Sequence, residues 1–171
     1  LFGPRTGFVG ATLFAVGLLA SAEGMLAKTD GVMTGFTTLA LAALAQLRAG
    51  TTRPRLVALL FWAAIGCGIM VKGPVTPMVA AFTLTALAFW ERRAAWMKPL
   101  AFWPGPLLAL AITLPWFITI GVVTEGRFYS DLFLREIGSK LVAGGDHRHG
   151  GIPGYYFLWL PLLIFPATYA L

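Results

Sequence analysis

Long uncharged hydrophobic runs, separated by short polar connectors, constrain this chain more than any motif in it. Residues 7–22 and 56–71, for example, contain no Asp, Glu, Lys or Arg. The chain is 58% hydrophobic and only 12% charged, whereas a soluble domain is about 45–50% apolar and about 25% charged. A helix that crosses a bilayer needs about 20 apolar residues. The sequence therefore predicts an all-α integral membrane protein.

The hydrophobic runs predict about six transmembrane helices in one transmembrane domain, with a single long polar segment between the last two. We expect spans at about 7–25, 31–47, 56–71, 74–90, 104–123 and 152–171, and an outer loop at 124–151. Between Phe128 and Leu141, apolar residues recur at helical spacing. This pattern predicts an amphipathic helix, which lies in the membrane interface or packs against protein.

Smaller signals refine this picture. The triplet Lys72-Gly73-Pro74 is expected to end a helix, and the next long helix is expected to begin near Pro106 and to kink at Pro115. Threonines within the second span, such as Thr37, are expected to bond back to their own helix. The chain begins with Leu1 and ends within an apolar run, so we expect it to be an internal fragment of a longer protein.

The net charge of +6 comes from 13 Lys and Arg against 7 Asp and Glu. In a soluble protein this balance would suggest nucleic acid, but here the cations lie in connectors between membrane segments, so we expect no nucleic-acid partner. Basic connectors stay on the cytoplasmic side. The cations that fall on alternate connectors, and so predict one shared side, are Arg5, Arg48, Arg53, Arg55, Arg92, Arg93 and Lys98.

The opposite, outer side is predicted to receive Asp30, Lys72 and the cluster Asp146-His147-Arg148-His149. Each has a purely structural explanation: Asp30 caps a helix, Lys72 extends to the interface, and the histidines are ordinary loop residues. The functional interpretation is anion binding. Lys72 offers a point charge for a phosphate, and Arg148 offers a planar fork for two phosphate oxygens.

The two histidines, His147 and His149, have ring nitrogens that can bind either a divalent metal ion or a phosphate. A metal site needs three or four ligands, so this pair would need a third ligand from Asp146, Asp30 or another part of the protein. Cys67 is the one cysteine, which excludes an internal disulfide and a cysteine zinc site. We interpret it as a packing residue.

Asp30, Lys72-Gly73-Pro74 and the segment from Gly144 through His149 to Phe157 resemble membrane glycosyltransferases of the aminoarabinose-transferase and protein O-mannosyltransferase type, in the GT-C superfamily. The resemblance implies transfer of a hexose or pentose from a polyprenyl-phosphate donor to a lipid or protein acceptor. It also implies an active site on the periplasmic face of a bacterial inner membrane, acting in cell-envelope glycosylation of lipid A or protein.

The resemblance also implies roles for particular residues. Asp30 matches the family's aspartate after a span, Lys72 its helix-ending lysine, and the 147–149 region its loop histidine. We expect Asp30 to be catalytic, although the acceptor-activating carboxylate is expected upstream of Leu1. Cations at the donor phosphate would stabilise charge that develops on the leaving oxygen. The residues predicted to bind the donor are Lys72, Arg135, Lys140, His147, Arg148 and His149.

The competing interpretation is a transporter or flippase for a lipid-linked or anionic substrate. Broken helices, such as the one at Lys72-Gly73-Pro74, line mid-membrane sites in transporters. The charges here fall at segment ends on one predicted face, which favours an enzyme with an external site.

Overall fold

A computed structural model describes residues 3–25, 29–91, 95–131, 161–162 and 165. All the regular structure in these residues is helical, which confirms the all-α class for this part of the chain. The helices are α1 (Pro4–Ala15), α2 (Leu18–Met25), α3 (Thr29–Arg48), α4 (Pro54–Lys72), α5 (Val75–Glu91), a 3-10 helix (Ala95–Ala101), α6 (Pro104–Val123) and α7 (Arg127–Asp131).

Two of the described helices, α4 and α6, are long and apolar enough to cross a membrane, and α5 is a shorter apolar helix. Helix α3 also has 20 residues, but its four threonines and its polar ends lower its hydropathy. The other spans, and the count of six, stay predictions. The last predicted span, except for residues 161–162 and 165, and most of the outer loop, including the amphipathic pattern beyond Asp131, lie outside the described residues.

The first hydrophobic segment differs from the single helix expected at 7–25. Helix α1 ends at Ala15 and α2 begins at Leu18, so the segment is interrupted at Val16 and Gly17. A new helix start exposes backbone N–H groups that have no partner within the helix. The N–H of Leu18 donates to the carbonyl of Phe165 at 3.0 Å. A residue far away in sequence therefore supplies the hydrogen-bond acceptor for the first N–H of α2.

Helices α3 to α6 alternate in direction. The turn at Gly73 and Pro74 reverses the chain between α4 and α5, and Arg48 and Glu91, at the ends of α3 and α5, form an ion pair. Helix α6 runs parallel to α4, because Trp62 lies against Gly105 and Gly66 lies against Ala109. The starts of α3 and α5 therefore share one end of the bundle with the last turns of α4 and α6.

Helix α4 is the centre of the packing. It supplies buried Ala58, Phe61, Ala64 and Ile65 to a core shared with α3, whose buried positions include Leu44. Where α4 meets α6 and α5, the helices can approach because glycines of α4 have no side chain. A methyl group on Gly66 would lie 3.1 Å from the Cα of Ala109, so the two backbones approach closely. Small residues at helix contacts are the usual device in membrane bundles.

The basic connector between α5 and α6 contains a short helix that the sequence did not predict. Residues Ala95–Ala101 form a 3-10 helix with Leu100 buried. The indole N–H of Trp62 donates to the carbonyl of Leu100 at 3.0 Å, which fixes this helix against α4. Helix α6 begins at Pro104, the start of the span expected at 104–123 and two residues before Pro106. Proline is tolerated in a first turn, whose N–H groups lack partners. The helix continues through Pro115.

Two substitutions test this packing. A methyl group on Gly68 would lie 2.5 Å from the Oγ1 of Thr76, and one on Gly105 would overlap the ring of Trp62. We expect Gly68→Ala and Gly105→Ala each to destabilise the protein by about 1–3 kcal/mol, the usual cost of overpacking. Thermal denaturation in detergent measures the effect.

Gly35→Ala is the matched control, because nothing lies within 4 Å of a methyl group at that position of α3. It should be neutral or stabilising, since Ala is the better helix former. Equal losses of stability for Gly35→Ala and Gly68→Ala would contradict the proposed packing.

Candidate functional site

The polar end of the bundle contains an ion pair between Asp30 and Lys72. The ammonium Nζ of Lys72 donates to the carboxylate Oδ1 of Asp30, although 42 residues separate the two in sequence. Both side chains are partly exposed, 47% for Lys72 and 38% for Asp30. The structure thus brings together two residues that the sequence predicted to share one end.

Local sequence explains why each residue stands where it does. Asp30 lies in the first turn of α3 and Lys72 is the last residue of α4, so each charge is favourable to its helix dipole. Gly73 then adopts φ +65°, a conformation that glycine tolerates best, and its N–H bonds to the carbonyl of Ile69 at 2.8 Å. The chain turns at once, and Lys72 stays at the end of α4.

One layer deeper, a hydrogen bond between two threonines joins α3 to α5. The hydroxyls of Thr37 and Thr76 are 2.9 Å apart, and Thr76 is fully buried. Thr76 fits there because Gly68, on the facing turn of α4, has no side chain. Thr37 therefore bonds across to another helix, not back to its own as expected. This contact fixes the start of α5, and with it the turn that carries Lys72.

The ion pair lies below the end of α6. The contacts of Trp62 with Gly105 and of Gly66 with Ala109 define a parallel register that puts Lys72 level with Pro115. Helix α6 continues from there to Val123, which is about 12 Å at ~1.5 Å per residue. Lys72 and Asp30 are thus recessed beside the last two turns of α6.

After α6 ends, the chain reverses direction in a tight turn. The N–H of Gly126 bonds to the carbonyl of Gly121 at 2.9 Å, with Glu125 and Gly126 both at positive φ. The hydroxyl of Tyr129 then donates to the carbonyl of Phe117 at 2.5 Å, so α7 folds back on α6. An open depression of about 590 Å³ forms at this turn, lined by Val123, Thr124, Glu125, Arg127 and Phe128.

The remaining predicted site residues lie outside the described residues, and their roles stay predictions: Arg135, Lys140, His147, Arg148 and His149. The predicted metal ligands His147 and His149 are among them. Within the part of the chain that the structure describes, no group of three or more His, Cys, Asp or Glu side chains is arranged to hold a metal ion. Cys67 is free and partly exposed.

Sequence reasoning missed the threonine pair and the recess. A signal for the first existed: Gly68 and Thr76 flank the helix break at Lys72-Gly73-Pro74, four residues away from Lys72 on either side. Such spacing brings a small and a polar residue opposite each other in a helical hairpin. The recess depends on the relative shift of α4 and α6, for which the sequence contains no comparable signal.

Residues 1–118 match the family model of dolichyl-phosphate-mannose-protein mannosyltransferases. The chain belongs to this family. The matched region contains both Asp30 and Lys72, and it ends before the histidine cluster. No curated protein and no solved structure matches the chain significantly.

Membership confirms the resemblance to GT-C membrane glycosyltransferases; the matched region contains Asp30 and Lys72-Gly73-Pro74 but not the segment from Gly144 to Phe157. The family consists of membrane glycosyltransferases that take their sugar from a polyprenyl phosphate. The apolar helices α4 and α6 agree with a membrane protein of this kind.

The hydrogen bond between Thr37 and Thr76 can be tested by substitution. Thr37→Val and Thr76→Val should each lower stability by about 0.6–1.5 kcal/mol, because each leaves the other hydroxyl without its partner. The double variant should cost less than the sum, which a double-mutant cycle by thermal or denaturant unfolding measures. Thr38→Val, at an exposed position of α3, is the control. Strict additivity of Thr37→Val and Thr76→Val would show that the two hydroxyls do not interact.

Proposed function

We propose that this protein is a membrane glycosyltransferase in which Lys72 binds the phosphate of a polyprenyl-phosphate sugar on the extracytoplasmic face. The observation that carries the proposal is the ion pair between Lys72 and Asp30, recessed at one end of the bundle in a chain of the mannosyltransferase family. The sugar is transferred to a lipid or protein hydroxyl.

The pair is suited to exchange partners. An ion pair whose members are both this exposed contributes at most about 1 kcal/mol, because water screens it. Asp30 thus holds the flexible Lys72 side chain in place at little cost when no substrate is bound. The donor is a phosphodiester, which carries one negative charge on two free oxygens as a carboxylate does, so it can replace Asp30 as the partner of the ammonium.

The same arrangement serves the transfer step. When the bond between the sugar and the phosphate breaks, negative charge grows on the phosphate oxygen, and a nearby ammonium stabilises it. Asp30, no longer paired with Lys72, is then a carboxylate within the site that can orient or deprotonate an acceptor hydroxyl. The apolar surface of α4 and α6 provides the environment for the polyprenyl chain.

The proposed orientation follows from the cations at the opposite end. Arg48, Arg53, Arg55 and Lys98 lie at the end of the bundle away from Asp30 and Lys72. Because basic connectors stay in the cytoplasm, this supports an extracytoplasmic site. In a bacterial protein that face is the periplasmic side of the inner membrane, where lipid A or protein acceptors of the cell envelope are available.

The decisive test replaces Lys72 in the full-length protein. Lys72→Met keeps an unbranched side chain one atom shorter but removes its charge, and we expect transfer from mannosyl polyprenyl phosphate to fall by roughly 10²–10³-fold. Binding of sugar-free polyprenyl phosphate should weaken in parallel. Lys98→Met, the same change at the other end of the bundle, should leave transfer unchanged.

Asp30→Asn separates the two roles of the pair. It should preserve or strengthen binding of polyprenyl phosphate, because it removes a competing anion, and it should still reduce transfer. Full transfer activity in Lys72→Met, with the fold intact, would refute the assignment of the site. If Lys72→Met instead abolished movement of the lipid across the bilayer, the protein would be a flippase.

We further propose that His147 and His149 contribute to the donor site, through a phosphate oxygen or through a divalent metal. Loss of a metal ligand should make His147→Ala or His149→Ala require more added Mn²⁺, and a chelator should inactivate the native protein. Loss of a phosphate contact should raise the KM for the donor with no dependence on metal. Native transfer kinetics in both variants would remove the histidines from the site.

A further inference from the structure

The end of the bundle opposite Asp30 and Lys72 is strongly basic. Arg48 ends α3, Arg53 and Arg55 flank the start of α4, and Lys98 lies on the 3-10 helix. Between Asp30 and Glu125 the sequence contains a single Asp or Glu, which is Glu91. Positive charge at this end therefore exceeds negative charge several-fold.

Glu91 is already engaged. One of its carboxylate oxygens accepts from the Nε of Arg48 at 2.5 Å, and the other accepts from the indole N–H of Trp96 at 2.9 Å. Its side chain is only 20% exposed. This carboxylate joins the ends of α3 and α5 to the 3-10 helix, and it neutralises Arg48 alone.

The other three cations are exposed and form no ion pair within the described residues. The guanidinium of Arg55 lies 5.5 Å from the centroid of the Phe102 ring, which orients it without neutralising its charge. Lys98 is exposed on a 3-10 helix whose Leu100 is buried. Arg53, Arg55 and Lys98 together form what we call the basic face.

Two exposed tryptophans lie towards this end of the bundle. Trp90, next to Glu91, is 88% exposed, and Trp103, just before α6, is 71% exposed. Such exposure is costly for indole in water, but the ring is stable at the level of lipid headgroups. The basic face lies towards the same end of the helices as these two indoles.

We propose that the basic face binds the headgroups of anionic phospholipids in the leaflet that surrounds it. Arg53, Arg55 and Lys98 supply the charge, and Trp90 and Trp103 lie among the same lipids. Juxtamembrane cations attract acidic lipids individually, and a cluster does so additively. This property is separate from sugar transfer at the opposite end and does not depend on it.

Quenching of tryptophan fluorescence tests the proposal in nanodiscs. Phosphatidylcholine discs receive a minor fraction of either brominated phosphatidylglycerol or brominated phosphatidylcholine. For the native protein, brominated phosphatidylglycerol should quench more strongly than brominated phosphatidylcholine at the same mole fraction. This difference in quenching should shrink at ~1 M salt, where the Debye length falls to ~3 Å. The variant Arg53→Gln/Arg55→Gln/Lys98→Gln should lose the difference, with roughly a five-fold loss of preference per cation removed.

Two controls keep the result interpretable. Arg53→Lys/Arg55→Lys/Lys98→Arg preserves charge and should preserve the preference for phosphatidylglycerol, even if stability changes slightly. Arg127→Gln, at the other end of the bundle, should also preserve it. Equal quenching by the two lipids in the native protein would overturn the proposal. So would an undiminished preference in the triple Gln variant with its helical circular dichroism intact.

Discussion

The reversal between α4 and α5 is the constraint on which the polar end of this bundle depends. It needs Gly73 at positive φ to turn the chain, Gly68 to leave room, and Thr76 to fill that room. Thr76 then bonds to Thr37, so α3 is included in the same contact. Three helices are thereby fixed within two turns of the ion pair. Lys72 owes its position to this packing more than to its attraction for Asp30, which is partly screened.

Hydrophobic patterning was enough to predict the all-α class of the described residues and the position of Asp30 and Lys72 at one end of the bundle. It worked because a bilayer imposes long apolar runs, and because the helix end at Lys72-Gly73-Pro74 is set by local chemistry. The interruption at Gly17 was not predictable, since the backbone there is satisfied by Phe165, far away in sequence. The 3-10 helix was missed for a similar reason: its position depends on Leu100 and Trp62 meeting across the bundle.

The candidate site also has features that the sequence predicted and others that it could not predict. Asp30 and Lys72 were predicted to lie on one side, and helix alternation alone accounts for that. Their direct contact depends on the relative rotation of α3 and α4, which side-chain packing determines. The hydroxyl of Thr37 was expected to bond within its own helix, because a sequence shows only which residues are neighbours along the chain. A hydroxyl on one span pairs with a hydroxyl on another only when a glycine lets the helices approach, as Gly68 does.

The shift between α4 and α6 has a consequence for the surrounding lipid. Two parallel helices that end about 12 Å apart in height cannot both meet a flat membrane surface. Lipid that matches α6 would cover the charges at the end of α4 with hydrocarbon, which is costly for ions. Thinning of the bilayer beside α4, or entry of water along it, would remove this cost. A hydrated notch of this kind lets a phosphate travel in water while its hydrocarbon tail remains in lipid.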